Sequence, residues 1–155
     1  MNKNVKKIYI NNVDEIIKLG EKIGKLAFPN MLITMNGDLG AGKTTMTKGI
    51  AKGLGIEKVV NSPTFTIMKI YEGRLNLYHL DVYRITDPES DFELEEYFEA
   101  DGVCVIEWAN QIEELLPSSY MNINITDLGD NKRELELSVI GEDTNYESII
   151  EKIVG

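Results

Sequence analysis

Apolar residues recur at helical spacing between positions 12 and 26, at Val13, Ile16, Ile17, Leu19, Ile23 and Leu26. Asn12 suits the N-cap of that helix, and Asp14 and Glu15 suit the positive end of its dipole. Residues 5–10 ahead of it read as a short strand. Pro29-Asn30 interrupts the chain, and Met31-Leu32-Ile33-Thr34-Met35 then makes an apolar run of strand length that ends at Gly37. From Lys43 the helical repeat returns through Met46, Ile50, Ala51 and Leu54, with Gly53 and Gly55 marking its end. Residues 65–71 and 75–83 predict a hairpin turning at Glu72-Gly73-Arg74. Asp87-Pro88-Glu89 opens an acidic helical stretch to about residue 98, with Asp87 as N-cap and Pro88 at the first helical position. Residues 102–108 predict a buried strand, followed by a short helix to Leu116 that stops before Pro117. Residues 120–126 and 133–140 alternate as a second hairpin across Gly129-Asp130-Asn131, and 145–154 predict a closing amphipathic helix.

Helices interleaved with strands, without an internal repeat, predict an α/β fold in three layers around a mixed, mainly parallel sheet. A chain of 155 residues with 43% hydrophobic composition is the size of one domain with one core, so 1–155 is expected to be a single unit. No apolar run approaches the roughly eighteen residues of a membrane span, and the polar N-terminus has no apolar stretch behind it to make a signal peptide. A soluble, cytoplasmic protein is expected. Cys104 is the single cysteine, which excludes an intramolecular disulfide, and its neighbours Val103 and Val105 mark it as core. A formal charge of −10 argues against direct grip on a nucleic-acid backbone. Thirteen of the sixteen basic residues are Lys, so only Arg74, Arg84 and Arg133 offer a bidentate fork.

The run Gly37-Asp38-Leu39-Gly40-Ala41-Gly42-Lys43-Thr44 has the spacing of a phosphate-binding loop. Its glycines let successive backbone N–H groups turn inward around phosphate oxygens, and the helix begun at Lys43 adds its positive end. Lys43 is then the group that reaches the outer phosphates, the Thr44 hydroxyl a ligand of Mg²⁺, and Thr45 a contact to an inner phosphate. A strand before and a helix after the loop supply the required context, so a nucleotide with Mg²⁺ is the expected ligand, its identity as ATP resting on the resemblance given below, and the fold is a P-loop NTPase-like domain.

Such a loop needs a carboxylate near the metal, held at the end of an apolar strand. Asp81 ends Leu77-Tyr78-His79-Leu80, and Glu107 ends Val103-Cys104-Val105-Ile106. Either can hold the metal while the other orients the attacking water, and the residues alone leave the two roles open. Thr64 in Ser62-Pro63-Thr64-Phe65 is a candidate switch residue, with a backbone-capping loop threonine as the plain alternative. His79, the single histidine, shares a strand face with Asp81; a locally satisfied strand histidine is preferred over a catalytic base. Trp108 can cover the nucleotide or simply pack.

Gly-Asp-Leu-Gly-Ala-Gly-Lys-Thr-Thr at 37–45, Ser-Pro-Thr-Phe-Thr at 62–66, His-Leu-Asp-Val-Tyr-Arg at 79–84 and Ile-Glu-Trp at 106–108 form a set. In order, spacing and total length the chain resembles the TsaE (YjeE) family, small P-loop ATPases required in bacteria for making threonylcarbamoyladenosine in tRNA. The resemblance weakens in the first thirty residues and after about residue 117. It implies partners TsaB and TsaD, the latter transferring the threonylcarbamoyl group, with tRNA met only through that complex and no membrane. It also implies ATP-favoured docking on the pair, and hydrolysis that resets the assembly, with low activity in isolation. It makes Lys43 the phosphate clamp, Thr44 and Glu107 metal ligands, Asp81 a carboxylate needed for hydrolysis and Thr64 the switch. It raises Trp108 to a nucleotide neighbour and brings Lys132 or Arg133 forward as a late contact. Ala109-Asn110 after Trp108 departs from the family habit of an acidic residue or proline there.

The acidic charge suits docking on a basic surface prepared for tRNA, and the stretch 89–101 is the expected part of the docking face. Two other functions share these motifs. A nucleotide-binding switch without useful hydrolysis would act through its partner surface alone. A small-molecule kinase would need a cationic lid, and no Arg cluster follows the P-loop at a lid's position.

Overall fold

Residues 5–37, 42–57, 60, 68–81, 101–107 and 116–154 are described by the structure, a computed structural model. Seven strands, β1 (Val5–Ile10), β2 (Met31–Gly37), β3 (Met68–Tyr71), β4 (Asn76–Asp81), β5 (Gly102–Glu107), β6 (Tyr120–Gly129) and β7 (Lys132–Ile140), form one sheet in the order β1-β7-β6-β2-β5-β4-β3. The central strands β6, β2, β5 and β4 are parallel neighbours, while β1, β7 and β3 attach through antiparallel ladders. The sheet is therefore mixed, as expected, with its parallel part at the centre. All six residues of β5 and Met31 to Met35 of β2 are buried, which matches their unbroken apolar runs and a sheet covered on both faces.

Three helices are described: α1 (Val13–Leu26), α2 (Lys43–Gly53) and α3 (Thr144–Val154). Ile16 and Ile23 of α1, Ile50 of α2 and Ile150 of α3 share one core with Ile33 of β2 and Val105 of β5. As predicted, the Asn12 side chain caps α1, accepting from the Glu15 N–H at 3.0 Å. The Glu15 carboxylate reaches back to the Asn11 N–H at 2.9 Å, so both groups tie down the entry to the helix.

Glycines set the contact between α1 and α2. Gly20 and Gly24 lie against Gly49 and Gly53; a Cβ on Gly49 would collide with the Ile17 carbonyl oxygen, and one on Gly24 with that of Ile50. The two backbones touch where side chains would hold them apart. Arg74, in the turn between β3 and β4, closes the other end of this pair: its guanidinium donates to the carbonyls of Gly24 at 2.9 Å and Ala27 at 3.1 Å. Its own N–H donates to Leu54 O at 2.7 Å, just beyond α2. Tyr146 of α3 plays a similar part for β2, its hydroxyl accepting from the buried Leu32 N–H at 2.8 Å while its ring packs edge-on against Phe28.

The second predicted hairpin differs in detail. β6 continues to Gly129, beyond residue 126, because the turn contains only Asp130 and Asn131. Both have positive φ, 53° and 64°, the conformation whose twist matches a two-residue hairpin. Leu128 is the extra residue of a bulge between the Asp127–Arg133 and Gly129–Lys132 pairs. The first hairpin pairs Tyr71 with Leu77 around Glu72-Gly73-Arg74 as predicted, its second strand starting at Asn76. The predicted acidic helix from Asp87, most of the 89–101 stretch, and the helix before Leu116 up to residue 115 lie outside the described residues. Cys104 is buried on β5, as expected, and burial pushes its thiol pKa up. Among the described residues no helix is long and apolar enough to cross a membrane.

Candidate functional site

Parallel pairing brings three strand ends to one edge of the sheet. Met35 of β2 lies beside Glu107, Glu107 beside Asp81 at the end of β4, and Gly37 beside Ile125 of β6. The carboxyl edge of a parallel sheet is where α/β folds take ligands, since loops leave the strands there and helices start with their positive ends toward it. α2 starts there. Its N-cap is Gly42, at φ 122°, and no side chain caps the first turn. The N–H groups that an Asn or Ser cap would satisfy are thus left to an anion.

Lys43 is the first residue of α2 and is buried to 4% exposure. Its ammonium donates to Gly37 O at 2.7 Å, bridging the end of β2 and the start of α2. Thr44 and Thr45 follow, each half-buried. Thr47, one turn on, is buried and turns its hydroxyl back onto Lys43 O at 3.0 Å, anchoring the first turn internally.

Glu107 is also 4% exposed. A carboxylate so placed is costly without a partner, and one is present: His79 Nε2 lies 2.6 Å from Glu107 Oε2. The histidine is fully buried and its Nδ1 has no hydrogen-bond partner among the described residues. This contact was only half visible in the sequence. Alternation put His79 on the face of the strand that leads to Asp81, but the carboxylate it meets lies 28 positions further along the chain, and only pairing of β4 with β5 reveals it.

The β6–β7 hairpin projects from the same edge. β6 runs on from Ile125, beside Gly37, to Gly129, which at ~3.3 Å per residue carries the turn about 13 Å past the end of β2. Lys132 sits exposed at this overhanging tip, and Arg133 beside it donates to Asp127 Oδ1 at 3.2 Å.

A model of the family described as "Threonylcarbamoyl adenosine biosynthesis protein TsaE" matches residues 10–135. The chain belongs to the TsaE family. Curated proteins named tRNA threonylcarbamoyladenosine biosynthesis protein TsaE are similar to it. The one from Bacillus subtilis is 48% identical over 92% of this chain and 89% of its own length, and the one from Treponema pallidum 38% identical over 82% and 96%. The crystal structure of Bacillus subtilis YdiB superposes with a TM-score of 0.84 at 41% identity, covering 97% of this chain and 95% of that one. The TsaE match spans every residue nominated from the sequence, Gly37 to Lys132. Of these the fold gathers Gly37, Gly42, Lys43, Thr44, Thr45 and Glu107 at one edge, with the backbone of Asp81 beside Glu107 and Lys132 on the overhanging hairpin. Asp38, Leu39, Gly40, Ala41, Thr64 and Trp108 lie outside the described residues, and of Asp81 only the backbone is described.

The donor set fits a nucleotide carrying Mg²⁺. Among the described residues no three His, Cys, Asp or Glu side chains converge into a metal cage. Mg²⁺ at a phosphate would need none, because one or two carboxylates or a hydroxyl, with phosphate oxygens and retained waters, would suffice to hold it.

Proposed function

We propose that this chain binds ATP with Mg²⁺ at the carboxyl edge of β2, β5 and β4 and hydrolyses it in support of threonylcarbamoyladenosine formation in tRNA by TsaB and TsaD. The observation that carries this reading is the start of α2: a glycine-led helix without a side-chain cap, whose buried Lys43 is already fixed to Gly37 O and whose neighbouring strand end carries the buried Glu107. Membership of the TsaE family supplies the pathway.

In this reading the backbone N–H groups from Asp38 to Gly42, with Leu39, Gly40 and Ala41 between, surround the phosphates, and Lys43 neutralises the outer ones. The Thr44 hydroxyl and Glu107 hold the cation, and Thr45 meets an inner phosphate. Bound Mg²⁺ supplies charge neutralisation at the oxygens of the transferring phosphoryl group. Asp81, beside Glu107, completes the carboxylate pair, as a further metal ligand or by orienting the attacking water. Thr64 senses the terminal phosphate, Trp108 covers the nucleotide and Lys132 closes over it from the hairpin tip. The whole chain acts as one P-loop ATPase domain in the cytoplasm, slow by itself, and meets tRNA only through its partners.

The test is ATP hydrolysis with Mg²⁺ by the protein alone and with TsaB and TsaD added, with Glu107→Ala as control. Turnover that needs the partners and disappears in the variant is the expected result. Nucleotide binding with no turnover in either condition would replace the ATPase by a binding switch.

A further inference from the structure

His79 is a costly residue to place in the middle of a strand. It is fully buried, and one of its ring nitrogens has no partner among the described residues. An apolar side chain would fill the same place without that cost, so packing alone does not account for the imidazole. The contact it does make is specific. Glu107 Oε2, 2.6 Å from Nε2, can only accept as a carboxylate, so Nε2 carries the proton.

The register fixes the direction of approach. His79 pairs with Val105, two residues before Glu107, so the ring reaches the carboxylate from inside the sheet. It occupies Oε2 and leaves Oε1 as the oxygen it does not engage. A glutamate has three side-chain torsions, and one short hydrogen bond from a fully buried ring removes most of that freedom.

We propose that His79 is a positioning residue for the metal site: its Nε2–H locks the Glu107 carboxylate so that Oε1 is presented to Mg²⁺ at the carboxyl edge. This rests on the assignment of Glu107 to the metal. Partners of this kind behind a ligating carboxylate are worth roughly 10–100-fold in metal affinity.

Because the chain has a single histidine, its imidazole can be read without assignment ambiguity in the full-length ¹⁵N-labelled protein. The expected spectrum has one ring that carries a proton on Nε2. With a non-hydrolysable ATP analogue already bound, addition of Mg²⁺ shifts the Nε2 signal, and it does not in Glu107→Ala. His79→Leu raises the Mg²⁺ concentration for half-saturation roughly 10–100-fold, and His79→Gln, whose amide N–H can take the place of Nε2–H, restores most of the loss. A ring whose Nε2 carries no proton, a signal unmoved by Mg²⁺, or a Leu variant with wild-type Mg²⁺ dependence would overturn the proposal. The spectra of the unaltered protein decide the matter if the Leu variant does not fold. Calorimetry of the analogue is read first: no binding at all would overturn the proposed function and this inference together, whereas binding with an unmoved imidazole overturns the inference alone.

Discussion

Removing one oxygen from Tyr146 tests how the start of β2 is held. The hydroxyl accepts from the buried Leu32 N–H at 2.8 Å, and Phe at this position would keep the packing against Phe28 but leave that N–H unpaired. Tyr146→Phe should therefore cost ~1–3 kcal/mol in a urea unfolding experiment, although the volume hardly changes. Burial pushes the Tyr146 pKa up to about 12 from its ordinary value of 10.0. Since the folded state holds that proton more tightly than the unfolded chain, the contribution is complete below about pH 10 and is lost as pH rises through the folded value. The stability gap between the wild type and Tyr146→Phe should accordingly narrow between those two pH values; a constant gap would mean that the phenol does not titrate with unfolding. Lys43 is tested by binding. Lys43→Ala removes the ammonium at the mouth of α2 and should weaken ATP binding by about 2 kcal/mol, near 30-fold, by calorimetry, with unchanged affinity counting against the phosphate-loop assignment.

At the scale of elements, the packing of α1 on α2 decides where the start of α2, with Gly42 and Lys43, sits, because the helix is held from behind by glycines. Gly49→Ala would press a methyl into the Ile17 carbonyl, backbone against backbone, where no side chain can swing aside. The expected cost is ~1–3 kcal/mol of stability, accompanied by weaker nucleotide binding as α2 is displaced. Arg74→Ala removes donors to the carbonyls of Gly24 and Ala27, and an exposed side chain in that position should cost about 1 kcal/mol in thermal unfolding with little effect on binding, since it caps the far end of α1. Existence and type of these elements were legible in the sequence. The period of Ile16, Leu19 and Ile23 and the cap at Asn12 are local signals, and so is the apolar run of β2. The glycine contact was not read, although the spacing of Gly20 with Gly24 and of Gly49 with Gly53 was present, because a small residue in a helix has two meanings until a partner is seen: a weak point or a place of contact. Arg74 was legible as part of the hairpin turn and as one of three arginines, but not as the group that closes a helix end.

For the molecule as a whole, the alternation of strands and helices gave the class of fold, but strand order is a non-local property. Nothing in the local pattern places β5 between β2 and β4, and that insertion makes the site by bringing Glu107 beside Asp81 and within reach of His79. The same insertion couples the site to global stability. β5 is paired along its length with both neighbours and carries Cys104, 2% exposed, three residues before Glu107. A thiol reagent meets Cys104 only after the sheet opens, both because the sulfur is covered and because burial disfavours its thiolate. If β5 cannot open without dismantling the edge proposed to hold the nucleotide, a ligand bound there must slow labelling by its linkage to folding. At a free MgATP concentration of 100 times its Kd, the open population falls by about 100-fold, equivalent to ~2.7 kcal/mol. Labelling of Cys104 in the wild type should slow by that factor with saturating MgATP, and in Lys43→Ala by much less at the same concentration. Labelling that proceeds at an unchanged rate while calorimetry shows the nucleotide bound would mean that β5 opens with the phosphate loop still loaded, and that the carboxylate edge and the loop are separate cooperative units.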